Sequence, residues 1–146
     1  MTRDPRDDRT GDLFAIPQPT APLPASHDYR AQVAHLTAEL LRAVDTDRYG
    51  IAATMSRLTG REISKYMLDA YASEARDTYN LPLWEVPALE AACHTHSLTA
   101  WLAQVRGGRL LVGREALTAE LGRLEQARDA SARRIRELKR LMGDSE

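Results

Sequence analysis

The sequence predicts an all-α fold: a helix-turn-helix head of about five helices, a disordered N-terminal tail and a long C-terminal coiled-coil helix. Three observations carry this. Aromatic residues are only 5% of a chain that is 43% hydrophobic, so the core falls to Leu, Ala, Ile and Met, which favour helices over sheets. Apolar residues recur at helical spacing from Val33 onward, and the strand signal is weak throughout. Helix stop and start residues, chiefly Thr59-Gly60, Ser64 and Pro87, divide the middle of the chain into short segments.

Residues 1–27 are expected to be a disordered, Pro-rich tail. The run IPQPTAPLPAS has four prolines and little apolar bulk to offset its ordering entropy. Leu13, Phe14 and Ile16 form a small apolar cluster at its start. The tail reads first as a linker, and second as a peptide that docks on a partner or on the folded body. The opening MTRDPRDDRTGDLF mixes both charge signs without an apolar core, so no signal peptide is expected.

A helical domain is expected over residues 28–108. Ser26 or Asp28 would cap a first helix running to about Val44, with Val33, Leu36, Leu40, Leu41 and Val44 on one face. Asp45-Thr46-Asp47 ends it and starts the next. The second helix, Ala52 to Leu58 with Ile51, Met55 and Leu58 inward, stops at Thr59-Gly60 because glycine reaches positive φ cheaply. Ser64 then caps a third helix that turns Met67, Leu68 and Tyr71 inward and runs to about Ala75. A loop covers Arg76 to Val86. Pro87 suits the first turn of a fourth helix, to about His94, and Ser97 would cap a fifth, Leu98 to Arg106. Leu83, Val86, Leu89, Leu98 and Leu102 are the expected core of this half. Gly107-Gly108 closes the domain. Arg109 to Val112 reads as a short strand or an extended connector.

The remainder, 109–146, holds the cleanest helix in the sequence, Arg114 to Met142. A heptad frame puts Leu117, Leu124, Ser131 and Leu138 in one column and Leu121, Arg128, Ile135 and Met142 in the other. Charges flank the seam, and Arg128 and Ser131 are a polar fault in it. Leu117, Leu121, Leu124, Ile135, Leu138 and Met142 are the candidate oligomerisation residues, because an apolar stripe must be buried somewhere. Self-association is the first reading, and packing back on the head the second.

Candidate chemistry is sparse. Cys93-His94-Thr95-His96 invites a metal reading, but a structural zinc site wants four ligands and no second pair lies near in sequence, so no metal is expected. There is no nucleophile motif, phosphate-binding glycine loop or carboxylate pair at a recognisable spacing, so neither catalysis nor a cofactor is expected. Cys93 is the sole cysteine, which fits a reducing, cytoplasmic setting in a bacterial host. No apolar run approaches the roughly 20 residues of a membrane span, so no membrane partner is expected.

Two helices joined by a Gly-containing turn are a common way to hold one helix against the DNA major groove. Here the turn is Thr59 to Ile63 and the second helix starts at Ser64. Arg61, Ser64, Lys65 and Tyr66 would meet double-stranded DNA, with Ala70, and later Ala72 and Ser73, as further outward positions. Arg57 and Arg76 would hold phosphates from either side. Asp69 would oppose DNA unless it accepts from a cytosine amine or pairs with a cation. The alternative is a solvated helix face. Net charge is −1 for the chain, and −2 for residues 28–106, where eight Lys or Arg stand against ten acids. Any basic surface must therefore come from arrangement.

The order of elements in 50–104 is similar to the CII-type regulators of temperate phages, small helix-turn-helix proteins that oligomerise through a C-terminal helix. The stretch MSRLTGREISKYMLDAY, Met55 to Tyr71, also resembles a small DNA-binding protein of Mu-like transposable phages and prophages. The resemblance implies a phage or prophage regulator, in transcription control or transposition, that is oligomeric through its last helix. A helical assembly protein that binds a phage or host protein is the alternative.

Overall fold

A computed structural model describes residues 17–76 and 78–143. Among these residues every regular element is helical: α1 (Arg30–Arg42), α2 (Arg48–Thr59), α3 (Lys65–Tyr71), a 3₁₀ turn (Leu83–Glu85), α4 (Val86–Ala92), α5 (Ser97–Val105) and α6 (Arg114–Gly143). The chain divides into two compact units, residues 1–110 and 111–146.

In the first unit α2 packs on α3 and α4, α1 packs on α3 and α5, and α4 packs on α5. The core is one cluster centred on Ile51, Met55, Leu68 and Leu89, none of which is exposed at all. Burying a side chain of this size contributes roughly 1.5–3 kcal/mol. α1 turns Ala34, Thr37, Leu40 and Leu41 into the core, while Val33, Leu36 and Val44 of the expected stripe are only half-buried. Small side chains at 34 and 37 let neighbouring helices come close, and Thr37 satisfies its hydroxyl by donating to the Val33 carbonyl at 2.7 Å.

The helix starts differ from expectation in an instructive way. The N-cap position of α1 is Tyr29, whose own side chain makes no cap hydrogen bond. Ser26 instead donates to the Ala21 carbonyl, and Asp28 binds the Arg30 backbone N–H and guanidinium. That contact with the Arg30 side chain, before any other cause, lowers the Asp28 carboxyl to about 2. α2 begins at Arg48, ahead of the expected Ala52, because the Asp47 carboxylate accepts from the Gly50 N–H at 2.7 Å. Ser97 is likewise no cap. The start of α5 is satisfied from outside: Thr95 Oγ1 accepts from the Ser97 N–H at 3.2 Å, and the buried Glu90 of α4 accepts from the Thr99 N–H at 2.9 Å and its hydroxyl at 2.6 Å.

Three expected core leucines are exposed: Leu58, Leu83 and Leu102. Leu58 sits in the last turn of α2, and Ile63 of the following turn fills that end of the core in its place. Leu83 lies in the 3₁₀ turn closed by the Glu85 N–H on the Pro82 carbonyl at 3.0 Å. That turn points Glu85 inward and Leu83 outward, and Leu81 takes the core position. α3 ends at Tyr71, short of Ala75, where the chain enters successive turns with Ser73 N–H on Ala70 O and Arg76 N–H on Ser73 O. α4 ends at Ala92, short of His94, whose φ is +52°. Arg109 to Val112 is an irregular connector with no strand.

Residues 17–27, expected to be disordered, have defined partners on the body. The Thr20 N–H donates to the Val105 carbonyl at 3.1 Å, the Tyr29 hydroxyl donates to Thr20 Oγ1 at 2.7 Å, and Tyr29 meets Trp101 edge-on at 5.3 Å. Gly107 makes this docking possible, because a Cβ there would fall 2.8 Å from Pro19 Cδ. The docking reading thus describes these residues. The expectations for residues 1–16, including the cluster Leu13, Phe14 and Ile16, lie outside the described residues.

In the second unit α6 spans 30 residues and matches the expected helix to within a residue. Its charged side chains pair locally, as in Arg123 with Glu120 at 2.5 Å. The candidate seam residues Leu117, Leu121, Leu124, Ile135, Leu138 and Met142 are all exposed.

The turn after α2 rests on Gly60, at φ +67°, and on Ser56, whose Oγ accepts the Ile63 N–H at 2.9 Å. Gly60→Ala should cost about 1 kcal/mol, because its Cβ meets no atom and only backbone strain opposes it. Ser56→Ala should cost about 1–3 kcal/mol by orphaning a partly buried N–H. Urea denaturation of both variants measures this, and a neutral Ser56→Ala would show that the brace contributes nothing.

Candidate nucleic-acid interface

α2 and α3 are joined by five residues, Gly60 to Ser64. Hydroxyls of α2 hold this connection. Thr59 Oγ1 donates to the Met55 carbonyl at 2.8 Å and accepts from the Arg61 N–H at 3.3 Å, while Ser56 anchors Ile63. Ser64 has extended backbone and its Oγ accepts from the Met67 N–H at 3.2 Å, so it is the N-cap read from the sequence. Its hydroxyl is therefore engaged in the fold.

The outward face of α3 carries Lys65, Tyr66 and Asp69, with Tyr66 71% exposed. Ala70 is buried, and Ala72 and Ser73 are half-buried, so the outward surface is narrower than the sequence suggested. Asp69 is the hub. Arg48, from the first turn of α2, pairs with its Oδ1, and Lys65 reaches its Oδ2 at 2.5 Å. The hydrogen bond from Lys65, followed by that from Arg48, holds the Asp69 carboxyl below the usual carboxylate range. The same contact raises the Lys65 ammonium above its ordinary value. The lone acid of this face is thus matched by two cations, one of which, Arg48, sequence reasoning missed. No spacing rule links residues 48 and 69, since only the α2–α3 packing brings them together.

Arg61 is exposed in the turn, with its guanidinium carbon 5.4 Å from the Trp84 ring centre. Lys65 Nζ lies 5.5 Å from the Tyr66 ring centre. Both are cation–π distances. The structure therefore brings Arg61 together with Trp84, and Lys65 with Tyr66, Asp69 and Arg48. Arg57 and Arg76 are exposed, and among the described residues no ion pair ties either to this group. Trp84 also escaped sequence reasoning, because the loop that carries it had no visible pattern.

That loop returns to α3 at both ends. Trp84 meets Arg61 before the helix, and Glu85 accepts from the Tyr71 hydroxyl at 3.1 Å at its last residue. Tyr71 stacks on Tyr79 at 5.4 Å. Glu85 is buried, and its Oε2 has no hydrogen-bond partner among the described residues. Burial raises the Glu85 carboxyl above 4.5, although the bond from Tyr71 acts the other way, and burial also raises the Tyr71 phenol.

Among the described residues no group of three or more His, Cys, Asp or Glu is placed to hold a metal. Cys93 is buried, and burial pushes its thiol up to about 11. His94 and His96 are exposed. Among the described residues no helix is long and apolar enough to cross a membrane. Comparison with protein-family models, curated proteins and solved structures finds no match to this chain.

A carboxyl raised on folding binds its proton more tightly in the native state than in the unfolded chain. The stability Glu85 contributes is therefore fully present below its unfolded value near 4.5 and is lost as pH rises through the raised value. Glu85→Gln should stabilise the protein at pH 7, leave it nearly unchanged at pH 4, and remove that part of the slope. Denaturation midpoints across this range decide it: equal pH slopes for the two proteins would exclude a buried, raised Glu85.

Proposed function

We propose that the protein is a DNA-binding regulator of a phage or prophage, acting in transcription control or transposition, that docks α3 on duplex DNA and self-associates through α6. The observation that carries the reading is the matched Asp69. With its charge held by Arg48 and Lys65, the α3 part of this face, Lys65 and Tyr66, carries no unmatched acid, while the exposed Glu62 stands beside Arg61 in the turn. Arg61 with Trp84 and Lys65 with Tyr66 supply donors against aromatic planes, suited to phosphate and sugar contact. Arg57 and Arg76 are the flanking phosphate contacts, and Ser64 orients the start of the helix. Self-association would couple two heads, so that the second contact with DNA becomes intramolecular.

A second reading, an assembly protein that binds a phage or host protein, draws on a different observation. An apolar groove of about 310 Å³ lies between α1, α4 and α5, lined by Tyr29, Val33, Leu98, Trp101 and the exposed Leu83 and Leu102. The head's net charge of −2 also suits a protein partner.

Fluorescence anisotropy with random duplex DNA tests the leading reading. The protein should bind at low salt and release as salt rises. Arg61→Ala and Lys65→Ala should each weaken binding and lower the slope of log affinity against log salt by about 1. Absence of binding at low salt would sink the regulator and leave the assembly reading.

A further inference from the structure

We infer that α6 pairs antiparallel with α6 of a second copy, about a two-fold axis that passes between Asp129 and Ala130. This rests on the self-association proposed above and adds to it a direction and a register.

Three features point to it. The first is the spacing of the seam. With Leu121, Arg128, Ile135 and Met142 as a positions and Leu117, Leu124, Ser131 and Leu138 as d positions, an antiparallel pair sets each a residue against a d residue. One register matches them all: Leu117 with Met142, Leu121 with Leu138, Leu124 with Ile135, and Arg128 with Ser131 of the second copy. Every pair is centred on the same point. The apolar side chains meet only apolar ones, and the polar fault collects at the axis. Arg128 faces a small hydroxyl there, and its guanidinium already leans on Asp129 at 2.9 Å and 3.0 Å.

The second feature is what a parallel pair would suffer. In register, it sets Arg128 against Arg128 in the seam. On its flanks it sets Glu120 against Glu125 and Arg134 against Lys139 of the second copy, like charges in each case. The antiparallel register makes neither flank contact and sets the two Arg128 side chains in adjacent layers, about 4.5 Å apart along the axis, rather than directly opposite. Its flanks set Glu120 beside Leu141, Ala127 beside Arg134, Thr118 beside Lys139, and Glu125 beside Ala132.

The third is the charge of the two halves. Residues 114–129 carry three Arg against four acids, a net −1, and residues 130–143 carry five Lys or Arg against Glu137 alone, a net +4. Antiparallel pairing lays each basic half along an acidic one, whereas parallel pairing stacks the two basic halves.

Disulfide trapping in the full chain tests this, with untreated protein as control because Cys93 is buried. A Leu124→Cys variant and an Ile135→Cys variant are oxidised separately and as a mixture. In the antiparallel pair, residue 124 lies eleven residues, or about 16 Å, along the axis from its own copy, beyond the roughly 7 Å a disulfide spans, and directly opposite residue 135. The expected result is a crosslinked species in the mixture and none from either variant alone. Self-crosslinking of Leu124→Cys would establish a parallel pair and overturn the proposal. A spin label on Arg140→Cys, away from the seam, gives a second reading that leaves the packing intact. Two labels should stand about 30 Å apart along the axis, against under roughly 20 Å for a parallel pair. Any other long separation would overturn the register. The solution mass of the unmodified protein separates the two levels of failure: a monomer would remove self-association itself, and an oligomer with the wrong crosslinks would remove only the direction.

Discussion

Ile51 and Met55, both wholly inaccessible, are the point on which the first unit closes. They stand one turn apart on α2, the helix that meets both α3 and α4. Leu68 and Leu89 reach the same cluster from those two helices, and Leu40 and Leu41 reach it from α1. Helices of seven residues, such as α3 and α4, are too short to persist alone in water. Their shape is imposed by this shared burial and by side chains that supply what their own ends lack.

The sequence disclosed the apolar spacing well and the polar side chains poorly. The all-helical class, the Gly60 stop, the Ser64 cap and the extent of α6 could all be read from residue types with strong local preferences. The misplaced cap at Ser97 has a physical cause. A capping residue is recognisable from local sequence only when the helix caps itself, and α5 takes its first-turn partner from Glu90, nine residues before Thr99. The exposed leucines share another. Leu58 and Leu102 lie on reasonable helical stripes and Leu83 in a loop, but Ile63 and Leu81, in irregular segments with no period, occupy core positions.

The candidate interface was legible in part for the same reason. Arg61, Lys65 and Tyr66 follow from the position of Ser64 and the helical repeat. Arg48 and Trp84 belong to segments distant in sequence, and they decide the electrostatics of the face: one matches Asp69 together with Lys65, and the other lies beneath Arg61. The 3₁₀ turn that carries Trp84 also delivers Glu85 to Tyr71, so the α3 flank and its buried carboxyl are set by a single short segment.

The Glu90 carboxylate has a consequence for motion. The first-turn N–H of Thr99 is satisfied by a side chain that belongs to the preceding helix. When α4 frays, α5 loses the acceptor at its start, and the Thr99 hydroxyl loses its partner too. These two hydrogen bonds couple the start of α5 to the integrity of α4 across a connection that contains the left-handed His94. Residues 17–20 hang from the opposite end of α5 through Val105 and Gly107, so α5 stands between that segment and α4.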